Sequence, residues 1–202
     1  MELTQSVDWL KQPHTGYVVN TSFSDANSDV LSKLMNDIEN EFGNAIFCMP
    51  KDSLHITLFD WIAPLIEYDG QDKTVLFDQI KDGYDQAITE VLDTIKPFSV
   101  RLNEVHVSPT TIYIKGEDNG QFQKIRQGFL DKVMLLSDTK QPPTIIHSSL
   151  GRFTEPIQMD RVREFLAKRT LDITQPVETF RLVKTSREPM LEYEVLKTYR
   201  LN

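Results

Sequence analysis

The chain has 202 residues, 40% of them apolar and 26% charged, which allows a sizeable buried core of ordinary globular composition. Its formal charge of −8 argues against tracking an extended duplex, but still allows a locally basic cleft for a small nucleotide or one end of an oligonucleotide. One cysteine, Cys48, excludes an internal disulfide, and no apolar run reaches the length of a membrane span.

The start, Met1-Glu2-Leu3-Thr4-Gln5, lacks the basic and apolar segments of a secretory signal. A cytoplasmic or other reducing compartment, a monomer and no membrane partner are expected. Phe47 and Met49 flank Cys48, so its thiol reads as a buried structural group.

Tyr17 to Phe23 reads as a strand. Val30, Leu31, Leu34, Met35, Ile38 and Phe42 follow at helical spacing, with Gly43 where a C-cap belongs. Leu54 to Trp61 alternates, with Leu54, Ile56 and Leu58 on one face and His55, Thr57 and Phe59 on the other. Tyr68 to Asp72 reads as a loop. A long helix follows from Val75 to Ile95 and is stopped by Pro97. Its regular apolar spacing favours packing against the body of the protein.

Phe98 to Val107 and Thr110 to Lys115 read as a strand pair broken at Ser108-Pro109. Gln121 to Leu136 is helical, and Thr144 to Leu150 is a strand after Pro142-Pro143. Asp160 is placed to cap a short helix holding Val162, Phe165 and Leu166. Phe180 to Thr185 and Leu191 to Leu196 close the chain as strands, joined across Arg187-Glu188-Pro189.

A pattern of elements repeats weakly. Strand 17–23, helix 29–42 and the strand of His55 match strand 110–115, helix 121–136 and the strand of His147. The repeat gives equivalent places to two short signatures, His55-Ile56-Thr57 and His147-Ser148-Ser149. In an extended strand residues i and i+2 share a face, so each signature presents an imidazole beside a hydroxyl. Two such pairs across a groove supply an acid, a base and donors for phosphate oxygens.

The tripeptide alone is common, and the chain holds a third match, His106-Val107-Ser108. That one runs into Pro109 and falls outside the repeat, so it reads as structural. His14, beside Pro13, reads as incidental. The ordinary reading of any one histidine is a surface or satisfied core residue; the apolar lead and the equivalent positions set His55 and His147 apart.

With these residues the chain resembles the 2H phosphoesterase superfamily, near its 2′-5′ RNA ligase and cyclic phosphodiesterase branches. The likeness extends to Thr111-Ile112-Tyr113-Ile114, to Leu150-Gly151-Arg152, and to the ending from Phe180 to Ser186 with Tyr193 and Tyr199-Arg200-Leu201. It implies an α+β fold over residues 1–202 as one bilobal domain. Two antiparallel-rich sheets would face a central cleft, with helices outside and approximate two-fold pseudo-symmetry. It also implies His55 and His147 as catalytic histidines, with Thr57 and Ser149 as their hydroxyl partners. Ser149 for the commoner threonine, Ser148 inside the second signature and the long insertion near residues 65–97 depart from the family pattern.

The expected reaction is hydrolysis of a nucleotide or RNA-end phosphodiester, above all a 2′,3′-cyclic phosphate, by one neutral imidazole and one imidazolium. Neither metal nor cofactor is expected: the histidines lack nearby carboxylates or thiolates, and there is no H-E-x-x-H, phosphate loop or nucleophile elbow. Phe59, Trp61 and Phe153, at even offsets from the signatures, are candidates to stack on a nucleobase, with core packing as the competing reading.

Arg152 is a candidate for phosphate or ribose by resemblance. Strict alternation puts it opposite His147 unless the strand ends or bulges near Gly151. Lys184 and Tyr193 are further candidates on the closing strands. Three alternatives remain open: action on 3′-5′ linkages or cyclic oligonucleotides, a non-catalytic module that grips RNA ends, and RNA ligation as a reverse reaction.

Overall fold

The computed structural model describes residues 2–136, 138–139 and 141–202. Nine strands and four α-helices are seen among them. In chain order they are β1 (Pro13–Ser22), α1 (Asp25–Phe42), β2 (Ile46–Cys48), β3 (His55–Ile62), α2 (Lys73–Leu92), β4 (Phe98–Val107), β5 (Thr111–Glu117), α3 (Gln121–Leu130), β6 (Ile146–Phe153), α4 (Met159–Ala167), β7 (Ile173–Val177), β8 (Thr179–Arg187) and β9 (Glu192–Arg200).

The strands form two antiparallel sheets, in the orders β3-β1-β8-β9 and β2-β6-β5-β4-β7. β1 and β5 hold equivalent places: each pairs with one signature strand, β3 or β6, on one side, and with β8 or β4 on the other. The helices cover the outer faces, and one continuous apolar core joins residues from both sheets and all four helices. No helix is long and apolar enough to cross a membrane among the described residues.

Local chemistry explains most boundaries. The Ser24 hydroxyl caps α1 by accepting from the Asn27 amide, and Gly43 ends it at φ 57° and ψ −137°, a positive-φ conformation that glycine tolerates. Asp72 caps α2, accepting from the amides of Thr74 and Val75. Within the expected insertion, α2 lies on β1 and β3. Phe77 stacks on Tyr17 at 3.8 Å between ring centroids, and Tyr84 meets Trp61 edge-on at 5.5 Å. Gly16 leaves room for Pro64, whose Cγ lies 2.6 Å from where a Cβ would stand.

Several expectations are corrected. α3 stops at Leu130, not Leu136, and Val133, Leu135 and Leu136 reach the core from irregular chain. Asp160 lies inside the first turn of α4, pairing with Arg163 at 3.0 Å, while Gln158 holds the cap position without a side-chain bond. β2 spans only Ile46–Cys48, too short to show alternation, and leaves its own half to pair with β6. β7 carries Pro176 at a sheet edge, where a missing amide costs no ladder bond.

The larger correction concerns the two signature strands. The register of β3 on β1 shifts twice, between the pairs Val19–Phe59 and Asn20–Thr57, leaving Leu58 as an extra residue, and between Tyr17–Ile62 and Val18–Asp60, leaving Trp61 extra. The register of β6 on β5 shifts between Ile112–Gly151 and Tyr113–Ser149, leaving Leu150 extra. Each bulge reverses the alternation beyond it. Phe59, Trp61 and Phe153 therefore turn inward and are at most 1% exposed, which removes them as partners for a nucleobase. Phe59 stacks on Phe129 at 4.3 Å.

Phe59→Ala is accordingly expected to lower unfolding stability by about 3–5 kcal/mol. Chemical denaturation measures this directly, and a loss below about 1 kcal/mol would contradict a fully packed ring.

Candidate active site

β3 brings His55, Thr57 and Asp60 to one cleft, and β6 brings His147, Ser149 and Arg152 to the same cleft. Its volume is about 290 Å³. Val18, Met49, Ala63, Pro64, Leu65 and Pro143 supply apolar wall, and Glu188, Pro189 and Met190 close one side from the turn between β8 and β9. The sheet register explains this face: residues directly opposite share a side, so Thr57 aligns with Asn20 and Arg181 across β3, β1 and β8.

The bulges at Leu58 and Leu150 act alike on the site. Asp60 stands five residues after His55, and Arg152 stands five residues after His147. On a regular strand an odd offset points away; with one extra residue between, both charged side chains join the histidine face. The bulge that would rescue Arg152 is thus present, although at Leu150, and it has a twin in the other sheet.

Each imidazole is fixed by backbone. His55 Nδ1 lies 2.7 Å from the carbonyl oxygen of Ser53. A carbonyl only accepts, so Nδ1 carries the proton and Nε2 is left with its lone pair for the cleft. His147 hydrogen-bonds the backbone of Ile145, again two residues back. The edge of Tyr113 packs against the His147 ring at 5.7 Å.

Burial is the main reason both histidines resist protonation, and surrounding cations add to it. His55 is pushed down to about 4 by burial, with Arg181, His147 and Arg152 contributing. His147 is also lowered, first by burial and then by Arg152 and Arg126.

The Arg152 guanidinium donates to Ser149 Oγ at 3.1 Å and to Thr111 Oγ1. Ser149 Oγ thus accepts from Arg152, which leaves its own O–H to donate elsewhere. Arg152 also lies 5.2 Å from the Trp9 ring centroid. Burial raises the carboxyl of Glu188 to about 7, against the hydrogen bond from Thr185 Oγ1 at 2.9 Å.

Three groups escaped the sequence reading. Asp60 was marked by its offset from His55, the same as that of Arg152 from His147. Glu188 lay in a segment read only as a connection. Arg126 sits on the apolar stripe of α3 among Phe122, Ile125 and Phe129, and is itself 2% exposed. A cation inside an apolar stripe is the signal that could have revealed it.

Other candidates fall elsewhere. Lys184 aligns with Tyr17 and Ile62 on the face that packs against α2, away from the cleft, and lies 5.9 Å from the Tyr17 ring. Tyr193 donates to the Asp52 carbonyl at 3.0 Å and lines an adjoining hollow with Arg181. His106 pairs with Glu104 at 3.0 Å on β4, outside the cleft. Cys48 is half-buried, its thiol donates to the Met35 carbonyl at 3.3 Å, and burial pushes it up to about 12. Among the described residues no cluster of three or more His, Cys, Asp or Glu forms a metal-binding group.

Comparison with solved structures finds the same fold at low sequence identity. The Thermus thermophilus protein TT0787 aligns at a TM-score of 0.60 and 18% identity, covering 92% of this chain and 97% of its own. Escherichia coli LigT, solved with ATP, aligns at a TM-score of 0.57 and 14% identity, covering 95% and 99%. A conserved Agrobacterium tumefaciens protein of unknown function aligns at 0.58 and 13%, covering 91% and 85%. No curated protein sequence matches. The profile of the 2′-5′ RNA ligase superfamily matches residues 28–189, a span that holds both signatures and the bulges at Leu58 and Leu150, and the chain belongs to that superfamily.

Proposed function

We propose that the protein is a metal-independent phosphodiesterase that opens a 2′,3′-cyclic phosphate on a nucleotide or RNA end. The observation that carries this reading is the meeting of two backbone-tethered imidazoles and two hydroxyls in one cleft. A volume of about 290 Å³ suits a terminal phosphate and its sugar better than a length of chain. Structures of E. coli LigT with 3′-AMP and with phosphate, at 13% and 12% identity, support a nucleotide substrate.

The proposed step is in-line attack by water on phosphorus. His55 Nε2 takes the water proton as the new P–O bond forms. His147, protonated at Nε2, delivers its proton to the ribose oxygen as the old P–O bond breaks. The environments support this assignment. His55 is the more strongly depressed imidazole and stays neutral, whereas an anionic phosphate beside His147 favours its protonated form.

Thr57 and Ser149 donate to the non-bridging oxygens, with Ser149 oriented by Arg152. The product monoester carries more charge than the diester. A carboxyl at Glu188 that ionises near neutrality opposes its retention.

In EDTA, purified protein is expected to hydrolyse 2′,3′-cyclic nucleotides or a cyclic-phosphate-ended oligonucleotide. His55→Ala and His147→Ala should each lower kcat by roughly 100- to 10,000-fold while leaving the circular dichroism spectrum intact. A strict requirement for a divalent ion overturns the mechanism. Tight binding of RNA ends by wild type and both variants, without turnover, favours a binding module. Turnover of 3′-5′ linkages or cyclic dinucleotides in preference to cyclic phosphates assigns the other branch.

The pH dependence follows from the two imidazoles. The base must be neutral, so kcat/KM should rise with pH through about 4. The acid must be protonated in the free enzyme, so kcat/KM should fall through a pKa below the ordinary 6.5. In kcat the falling limb should lie higher, because bound phosphate anion stabilises the imidazolium. Steady-state profiles in both parameters check this; a kcat limb that does not move upward contradicts a phosphate seated on His147.

Glu188 supplies a separate signature. Above about 7 its carboxylate repels the substrate anion, so KM should increase there, and Glu188→Gln should abolish the increase. Michaelis constants across pH 6 to 9, a range that is roughly centred on neutrality, measure the difference.

A further inference from the structure

The cleft rests on a buried arginine from another element. On α3, Arg126 donates through Nε to the Leu58 carbonyl at 2.9 Å and through Nη2 to the Thr57 carbonyl at 3.0 Å. Consecutive carbonyls of a regular strand point to opposite edges; at the β3 bulge both reach one guanidinium. The same side chain reaches into the other half, where Nη1 and Nη2 each lie 3.4 Å from the Ile145 carbonyl. Ile145 also provides the backbone bond to His147.

The planar fork therefore touches the hydroxyl residue of one signature and the backbone anchor of the other. The Phe122 ring, 5.2 Å away, packs beside it. Among the described residues Asp118 is the carboxylate whose charge favours its protonated form, and burial pushes the group down to about 10, still protonated near neutrality. A guanidinium removed from water without a close carboxylate is costly to keep, and an apolar residue would serve the stripe of α3 better if packing were its only duty.

We propose that Arg126 is a positioning residue: through the carbonyls of Thr57, Leu58 and Ile145 it holds the two histidine strands in mutual register and places a fixed positive charge behind His147. This rests on the two-histidine reaction proposed above. The charge has a chemical consequence because it disfavours the imidazolium of His147 until substrate anion arrives. The groups facing His147 are His55 and Asp60 from β3, Arg152 from its own strand, Lys115 and Tyr113 from β5, Glu188 from the β8–β9 turn, and Arg126 from α3. Among these, Arg126 is the cation that also bonds both halves.

The test uses Arg126→Met and Arg126→Lys in the full chain, with kcat, KM and the histidine ring signals followed by NMR across pH. Arg126→Met should lower kcat by up to roughly 100-fold with little change in KM, as expected when reacting groups shift by about an ångström. The His147 ring should titrate at higher pH than in wild type, and the falling limb of kcat/KM should move upward with it. Arg126→Lys keeps the charge but cannot span three carbonyls, so kcat should fall while the His147 titration stays near that of wild type.

Unchanged kcat in both variants, or an unmoved His147 titration in Arg126→Met, overturns the proposal. If neither variant folds, the arginine is a structural staple and the positioning role is likewise rejected. An inactive wild type defeats the proposed reaction instead; the ring titrations then still decide whether Arg126 sets the charge state of His147.

Discussion

One irregularity of backbone decides what this cleft contains. An antiparallel strand presents alternate residues, so a regular β3 would offer His55, Thr57 and Phe59, and a regular β6 would offer His147, Ser149 and Gly151. The extra residues Leu58 and Leu150 break that sequence at the same distance past each histidine. The hydroxyl keeps its place beside the imidazole, a charged residue replaces the next position, and the aromatic residues go into the core. Burial of Phe59, Trp61 and Phe153 and recruitment of Asp60 and Arg152 are thus one event seen from the two faces of the sheets.

Much of this was legible in the chain. Apolar periodicity located α1 and α2, and alternation located β1, β3, β4 and β8. The matching spacing of strand, helix and histidine strand exposed the pseudo-two-fold arrangement because spacing survives where residue identity does not. The misses share a cause: each depended on contacts distant in sequence. β2 and β7 exist because β6 and β4 offer them an edge. The shortened α3 lets Leu135 and Leu136 enter the core.

Bulges carry no composition of their own. Leu58 and Leu150 look like ordinary strand leucines until the partner strand counts one residue fewer. The offset from histidine to charged residue was present in both halves, and only one half was read that way.

Charge is distributed against the protein's overall sign. The chain carries −8, yet Arg126, Arg152 and Arg181 all act on the two histidines. Low-dielectric surroundings let a few fixed cations dominate locally, so an acidic chain can hold a cleft with a basic interior. Asp60 and Glu188 bring carboxyl groups to the same cleft. Because burial raises Glu188 to about 7, the cleft's net charge changes close to neutrality without involving either imidazole.

A symmetric pair of histidines has no inherent division of labour. Acid–base catalysis needs one of them neutral and the other charged at the same instant, so their surroundings must differ. The two halves share strand, tripeptide, backbone tether and bulge, and diverge at the residue that the bulge delivers: a carboxylate in one half, a guanidinium in the other. The helices diverge as well, since α3 sends Arg126 beneath both strands. Duplicated geometry brings two imidazoles into one cleft, and unequal burial together with unequal charges around that geometry gives the two imidazoles different proton affinities.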